Sequence, residues 1–190
     1  EPVREISANY YMANCYLNDE KKNEALFHYD FITKKPNNNY YTEALKYAGE
    51  ITFDAHDYKN ALAYFSTLED VSMDEEDLSL SIKGQFYCFY YLNNPISTIK
   101  YAKKILQLSN INKKLKEDSY LYLAKSYQSV NQLDSAMIYY DSIMYFTKSI
   151  AAAESKYHIC EIAYERKNYE LCESLIMELV QQKPSYDYWL

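Results

Sequence analysis

Three histidines and four cysteines are the side chains of this 190-residue chain best suited to ligate a metal or act as nucleophiles, and their spacing serves neither role. His28, His56 and His158 stand far apart, with no His-xxx-His or Cys-xx-Cys spacing to close a zinc site. His28 and His158 fall in helical stretches and His56 in a turn, where solvated or packing roles are expected. Two glycines do not build a phosphate-cradling loop, and no Gly-x-Ser-x-Gly elbow occurs. Carboxylates do cluster, at Asp74-Glu75-Glu76-Asp77. General acid–base work needs a carboxyl in a pocket of its own. A run of acids ahead of a helix is instead a solvated N-terminus favoured by the helix dipole. The chain is therefore expected to be non-catalytic, with no cofactor and no bound metal.

Composition narrows the elements that carry these residues. With 2 glycines and 4 prolines, helices joined by short polar loops are expected, with few tight turns at positive φ. The net charge of −7 provides no basic stripe for a phosphate backbone, so nucleic acid is not an expected partner. No apolar run approaches the ~20 residues that span a bilayer. The 24 tyrosines suit helix–helix seams, where the ring packs and the hydroxyl reaches water or a polar neighbour. The chain has neither an initiator Met nor a signal-peptide pattern, so it is expected to be a processed protein or an excised piece.

The strongest signal is a repeat. Ala25, Ala61, Thr98, Ala136 and Cys172 each stand early in an apolar run, at steps of 36, 37, 38 and 36 residues. A period in this range means stacked helical units, each covering its neighbour's apolar face. Within the fourth unit Tyr120, Leu123, Ala124 and Tyr127 line one helix face, Asn131-Gln132 turns, and Leu133, Ala136, Met137, Tyr140 and Ile143 line a second. The first unit repeats this with Met12, Ala13 and Tyr16, then Ala25, Tyr29 and Ile32, and the fifth with Tyr169, Cys172, Ile176 and Leu179. A small residue in the first helix (Ala13, Gly49, Ala124, Cys160) stands twelve before the small residue of the second, so the two helices can approach closely there. Helix pairs are expected at 4–18 with 21–34, 39–55 with 58–70, 76–92 with 96–108, 114–130 with 133–146, and 149–166 with 169–182. Cys15 and Cys88 are expected to replace alanine or serine on core-facing surfaces. Cys160 and Cys172 take both small positions of the fifth hairpin. They are either a disulfide, which would imply an oxidising compartment, or two buried thiols serving as slightly large alanines.

These residues resemble the tetratricopeptide repeat family. Leu123-Ala124 with Tyr127, Ala136 with Tyr140, Tyr58 with Ala61 and Phe65, and Tyr169 with Cys172 and Pro184 follow its pattern of first helix, turn, second helix and closing proline. The third unit departs from it, with Thr98 for the alanine, Ala102 for the aromatic, and Pro95 where an aromatic is usual. The resemblance implies an all-α, right-handed α-solenoid of about five helix-turn-helix repeats. Their expected bounds are 4–36, 39–72, 76–109, 114–147 and 149–184 in a single array, with 185–190 opening a sixth. It implies further that the first helices line a concave face, presenting Tyr10 and Asn14, Lys46, Glu50 and Asp54, Lys83, Tyr87 and Tyr91, Lys125 and Gln128, and Tyr157, Glu161 and Tyr164. The family's carboxylate clamp for acidic tails is not expected. Asn14 is retained, but Tyr10 replaces its lysine, Tyr47 its second asparagine, and Leu80 and Gly84 its basic pair.

The expected function is a protein-interaction scaffold that binds a peptide or protein on that face, with a structural spacer or sensor arm of a larger assembly as the alternative. The Tyr-, Asn- and Lys-rich texture is similar to bacterial exported repeat proteins, implying the periplasm or cell envelope rather than the cytoplasm. Ser185 to Leu190 read as the start of another first helix, so the chain is expected to be a piece of a longer bacterial array whose uncapped ends self-associate.

Overall fold

The computed structural model describes residues 2–144 and 149–181. Ten helices occur among them, and no strand. They are α1 (Pro2–Asn18), α2 (Lys22–Thr33), α3 (Tyr41–Asp54), α4 (Tyr58–Val71), α5 (Glu75–Tyr91), α6 (Pro95–Leu106), α7 (Lys113–Ser129), α8 (Leu133–Met144), α9 (Ile150–Glu165) and α10 (Tyr169–Gln181). The all-α class and the alternation of first and second helices expected from the period are what the structure has. The expected sixth first helix and Pro184 lie outside the described residues.

The chain divides into two compact units, Glu1–Asn94 with α1 to α5 and Pro95–Leu190 with α6 to α10. In the first unit α1 packs on α2, α2 on α3, α3 on α4, and α4 on α5, with α3 also touching α5. In the second, each helix from α6 to α10 packs on the next, and α7 touches α9.

The core of each unit follows from the repeat. Ala13, Ala25, Ala61, Ala124 and Ala136 are wholly buried where helices approach. One large apolar residue per second helix, Ile32, Leu68, Ile105, Ile143 and Leu179, is buried at the same steps of 36, 37, 38 and 36. Each such side chain contributes about 1.5–3 kcal/mol on burial. Cys160 and Cys172 face each other across the fifth hairpin as a disulfide pair with Cα atoms 4.4 Å apart.

Five first-helix ends close in one way. Glu20, His56, Asn93, Asn131 and Lys167 take positive φ of 54–61°. The N–H of the following residue donates to a carbonyl five back: Lys21 to Tyr16, Asp57 to Thr52, Asn94 to Phe89, Gln132 to Tyr127 and Asn168 to Ala163. This is the Schellman closure, which satisfies the last carbonyls of a helix. The expectation of few positive-φ turns is thereby corrected. Scarcity of glycine did not remove the left-handed positions. It placed ordinary side chains in them, and both glycines are helical instead. Four helices start on side-chain caps: Asp57, Asp74, Asn112 and Ser149 accept backbone N–H groups of α4, α5, α7 and α9. The acidic run at Asp74 is thus a helix start, as its position implied.

Three placements differ from expectation. Cys15 is exposed rather than core-facing, because two residues beyond Ala13 carry it about 200° around α1. Met12, 45% exposed, stands about 100° off the same seam. In α10 the buried arc runs through Leu175 and Leu179, leaving Ile176 at its edge, 41% exposed.

Candidate binding face on the first helices

The register of the repeat makes positions comparable. Four residues after each anchor, the second helix carries Tyr29, Phe65, Ala102, Tyr140 and Ile176. Fourteen residues before each anchor, the first helix carries Tyr11, Tyr47, Gly84, Tyr122 and His158, four rings and one glycine. Eleven residues before it stand Asn14, Glu50, Tyr87, Lys125 and Glu161, five of the candidate face residues.

In the first unit the α2/α3 junction is filled. Tyr47 stacks on buried Tyr29 with centroids 5.1 Å apart. The Tyr29 hydroxyl donates to Asn14 Oδ1 at 2.5 Å, so Asn14 serves its own hairpin. Tyr10 is part-buried and stacks on Tyr40 at 4.1 Å. Burial, with Glu43 nearby, raises the Tyr10 pKa despite a hydrogen bond with Asn14.

The α4/α5 junction is different. Phe65 lies between Gly49 and Gly84, and a Cβ built on either would come within 2.8 Å or 2.5 Å of its ring. Only glycine lets α3 and α5 approach this ring so closely. Where the neighbouring junction has a second ring, this one has a notch of about 340 Å³ between α3 and α5. Glu50, Phe53 and Asp54 wall it from α3, and Leu80, Lys83, Gly84 and Tyr87 from α5, with Phe65 at its base. Both sets are spaced for one helix face. Asp54 is ion-paired to Lys22 of α2 at 2.7 Å. Glu50 makes no hydrogen bond or ion pair among the described residues, and neither does Lys83. Burial raises the Glu50 pKa, and Lys46 and Lys83 only partly oppose that. Tyr91 stacks on Tyr58 at 4.6 Å, and Phe53 joins it at 6.2 Å.

In the second unit the equivalent side chains serve one another. His158 stacks on buried Tyr140 at 5.1 Å. The Tyr140 hydroxyl donates to Gln128 Oε1 at 2.7 Å. His158 Nδ1 lies 2.7 Å from Glu161 Oε2, and its Nε2 is 3.8 Å from Glu154 Oε1. Lys125 is ion-paired with buried Glu154. Burial pushes the Glu154 carboxyl up, but His158 and Lys125 outweigh it and hold the pKa below its ordinary value. Tyr157 meets His158 edge-on at 5.6 Å, and Tyr164, 64% exposed, meets Tyr169 likewise.

The candidates of the first unit thus divide into Tyr10, Asn14 and Tyr91, engaged in packing, and Glu50, Lys83 and Tyr87, gathered at the notch; Lys46 lies beside Glu50. Sequence reasoning missed Phe53, Phe65, Leu80 and Gly84 at the notch. The available signal was Gly84, the one glycine in a column of rings. Among the described residues, no group of three or more His, Cys, Asp and Glu is placed to hold a metal ion. No described helix is long and apolar enough to cross a membrane.

No family model matches the chain, and no curated protein sequence matches it. Solved structures do. YrrB, described as a TPR protein with an unusual peptide-binding site, is 14% identical, covers 95% of this chain and 88% of its own, and superposes with a TM-score of 0.74. A tetratricopeptide repeat protein from Parabacteroides merdae is 13% identical over 98% of this chain and 70% of its own, at 0.71. MamA from Desulfovibrio magneticus RS-1 is 12% identical over 95% and 98%, at 0.69. The likeness is one of fold.

Proposed function

The chain has the fold of tetratricopeptide-repeat proteins, and from that premise we propose that it is a non-catalytic protein-interaction scaffold. It takes a peptide or protein partner on the first-helix face. The observation that carries this reading is the notch between α3 and α5, where Glu50 and Lys83 face an aromatic base without ion-pairing. A concave site with an apolar floor and a few polar groups has the form of a ligand pocket. The alternative, a spacer or sensor arm, draws on the second unit, where Lys125 is ion-paired with Glu154 and Glu161 lies against His158.

A photo-crosslinking residue separates the two. Placed at Tyr87 on the first-helix face, it should capture a defined partner in the native host, while the same residue at Phe27 on the outward face of α2 should not. Capture from Phe27 alone, or from neither, would sink the scaffold reading in favour of the spacer. The Cys160–Cys172 pair supports a periplasmic or cell-envelope location, where disulfides persist. Alkylation of denatured, unreduced protein followed by intact-mass measurement tests this, since modification of both thiols would remove that support.

A further inference from the structure

Two absences coincide at the notch. Tyr29 and Tyr140 carry hydroxyls that donate to Asn14 and Gln128 on the preceding first helix, whereas Phe65 has none to offer its own first helix. Tyr29 and Tyr140 are covered by the rings of Tyr47 and His158, whereas Phe65 is met by Gly84. The first absence leaves Glu50, which stands in the column of Asn14, without a donor, and the notch of about 340 Å³ lies beside it. The charge of the surroundings has a sign. Residues 1–94 carry 8 Lys and Arg against 16 Asp and Glu, a net −8, whereas residues 95–190 carry 12 against 11, a net +1.

Resting on the scaffold reading, we propose that this notch receives an arginine side chain of the partner, its guanidinium on Glu50 and its plane against Tyr87. A planar cation supplies the missing donor and a flat face for the aromatic wall. Guanidinium is weakly hydrated, packs flat on aromatic rings and forks onto a carboxylate, none of which a lysine ammonium does as well. The acid-rich unit around it attracts such a group from solution. Leu80 and Phe53 flank the alkyl stem. Lys83, on the wall facing Glu50, opposes the incoming charge and so selects against a loosely held cation. Burial disfavours the Glu50 carboxylate, and a guanidinium beside it reverses that disadvantage.

The full chain, isotope-labelled, is titrated with acetyl-Ala-Ala-Arg-Ala-Ala-amide and watched by amide chemical shifts. Controls replace the arginine by citrulline, its neutral isostere, and by glutamate. The arginine peptide should move the Glu50 and Gly84 amides at millimolar concentration, with citrulline weaker by about tenfold, as for loss of a charged hydrogen bond. Glu50→Gln should weaken the arginine peptide by a similar factor, and Lys83→Met should strengthen it by about threefold as a like charge is withdrawn. Equal binding of citrulline, indifference to Glu50→Gln, or preference for the glutamate peptide with loss on Lys83→Met would each overturn the assignment, as would no shift at Glu50 or Gly84. Both variants change exposed or half-buried positions and should keep the helical spectrum. Failure here with capture from Tyr87 intact defeats the arginine assignment alone, and failure of both defeats the scaffold reading as well.

Discussion

The α4/α5 and α8/α9 junctions are built at the same repeat positions and reach opposite outcomes. At α8/α9 a tyrosine is covered by a histidine, its hydroxyl is bound, Lys125 is ion-paired with Glu154, and His158 lies 2.7 Å from Glu161. At α4/α5 a phenylalanine is met by a glycine, and a carboxylate and an ammonium stand apart across open space. A repeat position dictates where a side chain projects; whether it holds the fold or stays free for a ligand depends on its neighbour in the next helix.

The largest expected effect lies in the matched junction. Lys125→Ala would leave the Glu154 carboxylate buried without its ammonium, and stability to urea should drop by about 3 kcal/mol. Lys83→Ala removes no ion pair and should stay within about 0.5 kcal/mol. Equal losses would erase the contrast. Next comes the glycine contact. A helical Gly→Ala gains about 1 kcal/mol in propensity, while overpacking a core ring costs about 1–3 kcal/mol. With its Cβ only 2.5–2.6 Å from Phe65 ring atoms, Gly84→Ala should lose on balance, by about 1–2 kcal/mol in thermal or urea unfolding. Gly49→Ala meets the ring edge at 2.8 Å and should come out near neutral.

Acid should separate the junctions by sign. Glu154 has its folded pKa below the usual 4.5, so its contribution is present above 4.5 and is lost as pH falls through the depressed value. Glu50 has its folded pKa above 4.5, so the folded state takes up its proton first and gains stability as pH falls toward 4.5. Urea midpoints against pH for Glu154→Gln and Glu50→Gln should therefore deviate from the parent in opposite directions, and deviations of one sign would refute the pairing described. The smallest effect concerns a feature both units share. Lysine tolerates left-handed backbone poorly and asparagine well. Lys167→Gly should therefore stabilise by about 1 kcal/mol, and Asn93→Gly by a few tenths, in the same unfolding assay.

The helices were legible because close approach demands small residues, and those stand at countable intervals. Ala13, Ala25, Ala61, Ala124 and Ala136 were identified for that reason and are wholly buried. The first-helix face was legible as a set of positions but not as a site. Glu50 and Glu161 occupy one column, and what separates them is Phe65 and Gly84 in one case and His158 in the other. Those partners lie on neighbouring helices whose rotation the period alone does not specify. Cys15 and Met12 erred for a related reason: an angular slip of one or two residues on α1 carries a side chain off the seam. The positive-φ turns were hidden because histidine, glutamate and lysine, which hold three of the five positions, take that conformation only when the helix closure enforces it.

The five Schellman closures have a consequence for which lengths of chain this architecture can accept. The left-handed residue stands five before each anchor without exception, from Glu20 and Ala25 to Lys167 and Cys172, although the repeat itself varies between 36 and 38 residues. One residue inserted or deleted between closure and anchor would turn the second helix by about 100° and swing its small residue out of the seam. The same indel in the links between hairpins, such as 34–40 or 107–112, falls outside the helices. Drift in length is thus confined to the links, and the hairpin is inherited as a fixed reading frame, so that whole hairpins can be exchanged or duplicated while fragments of them cannot.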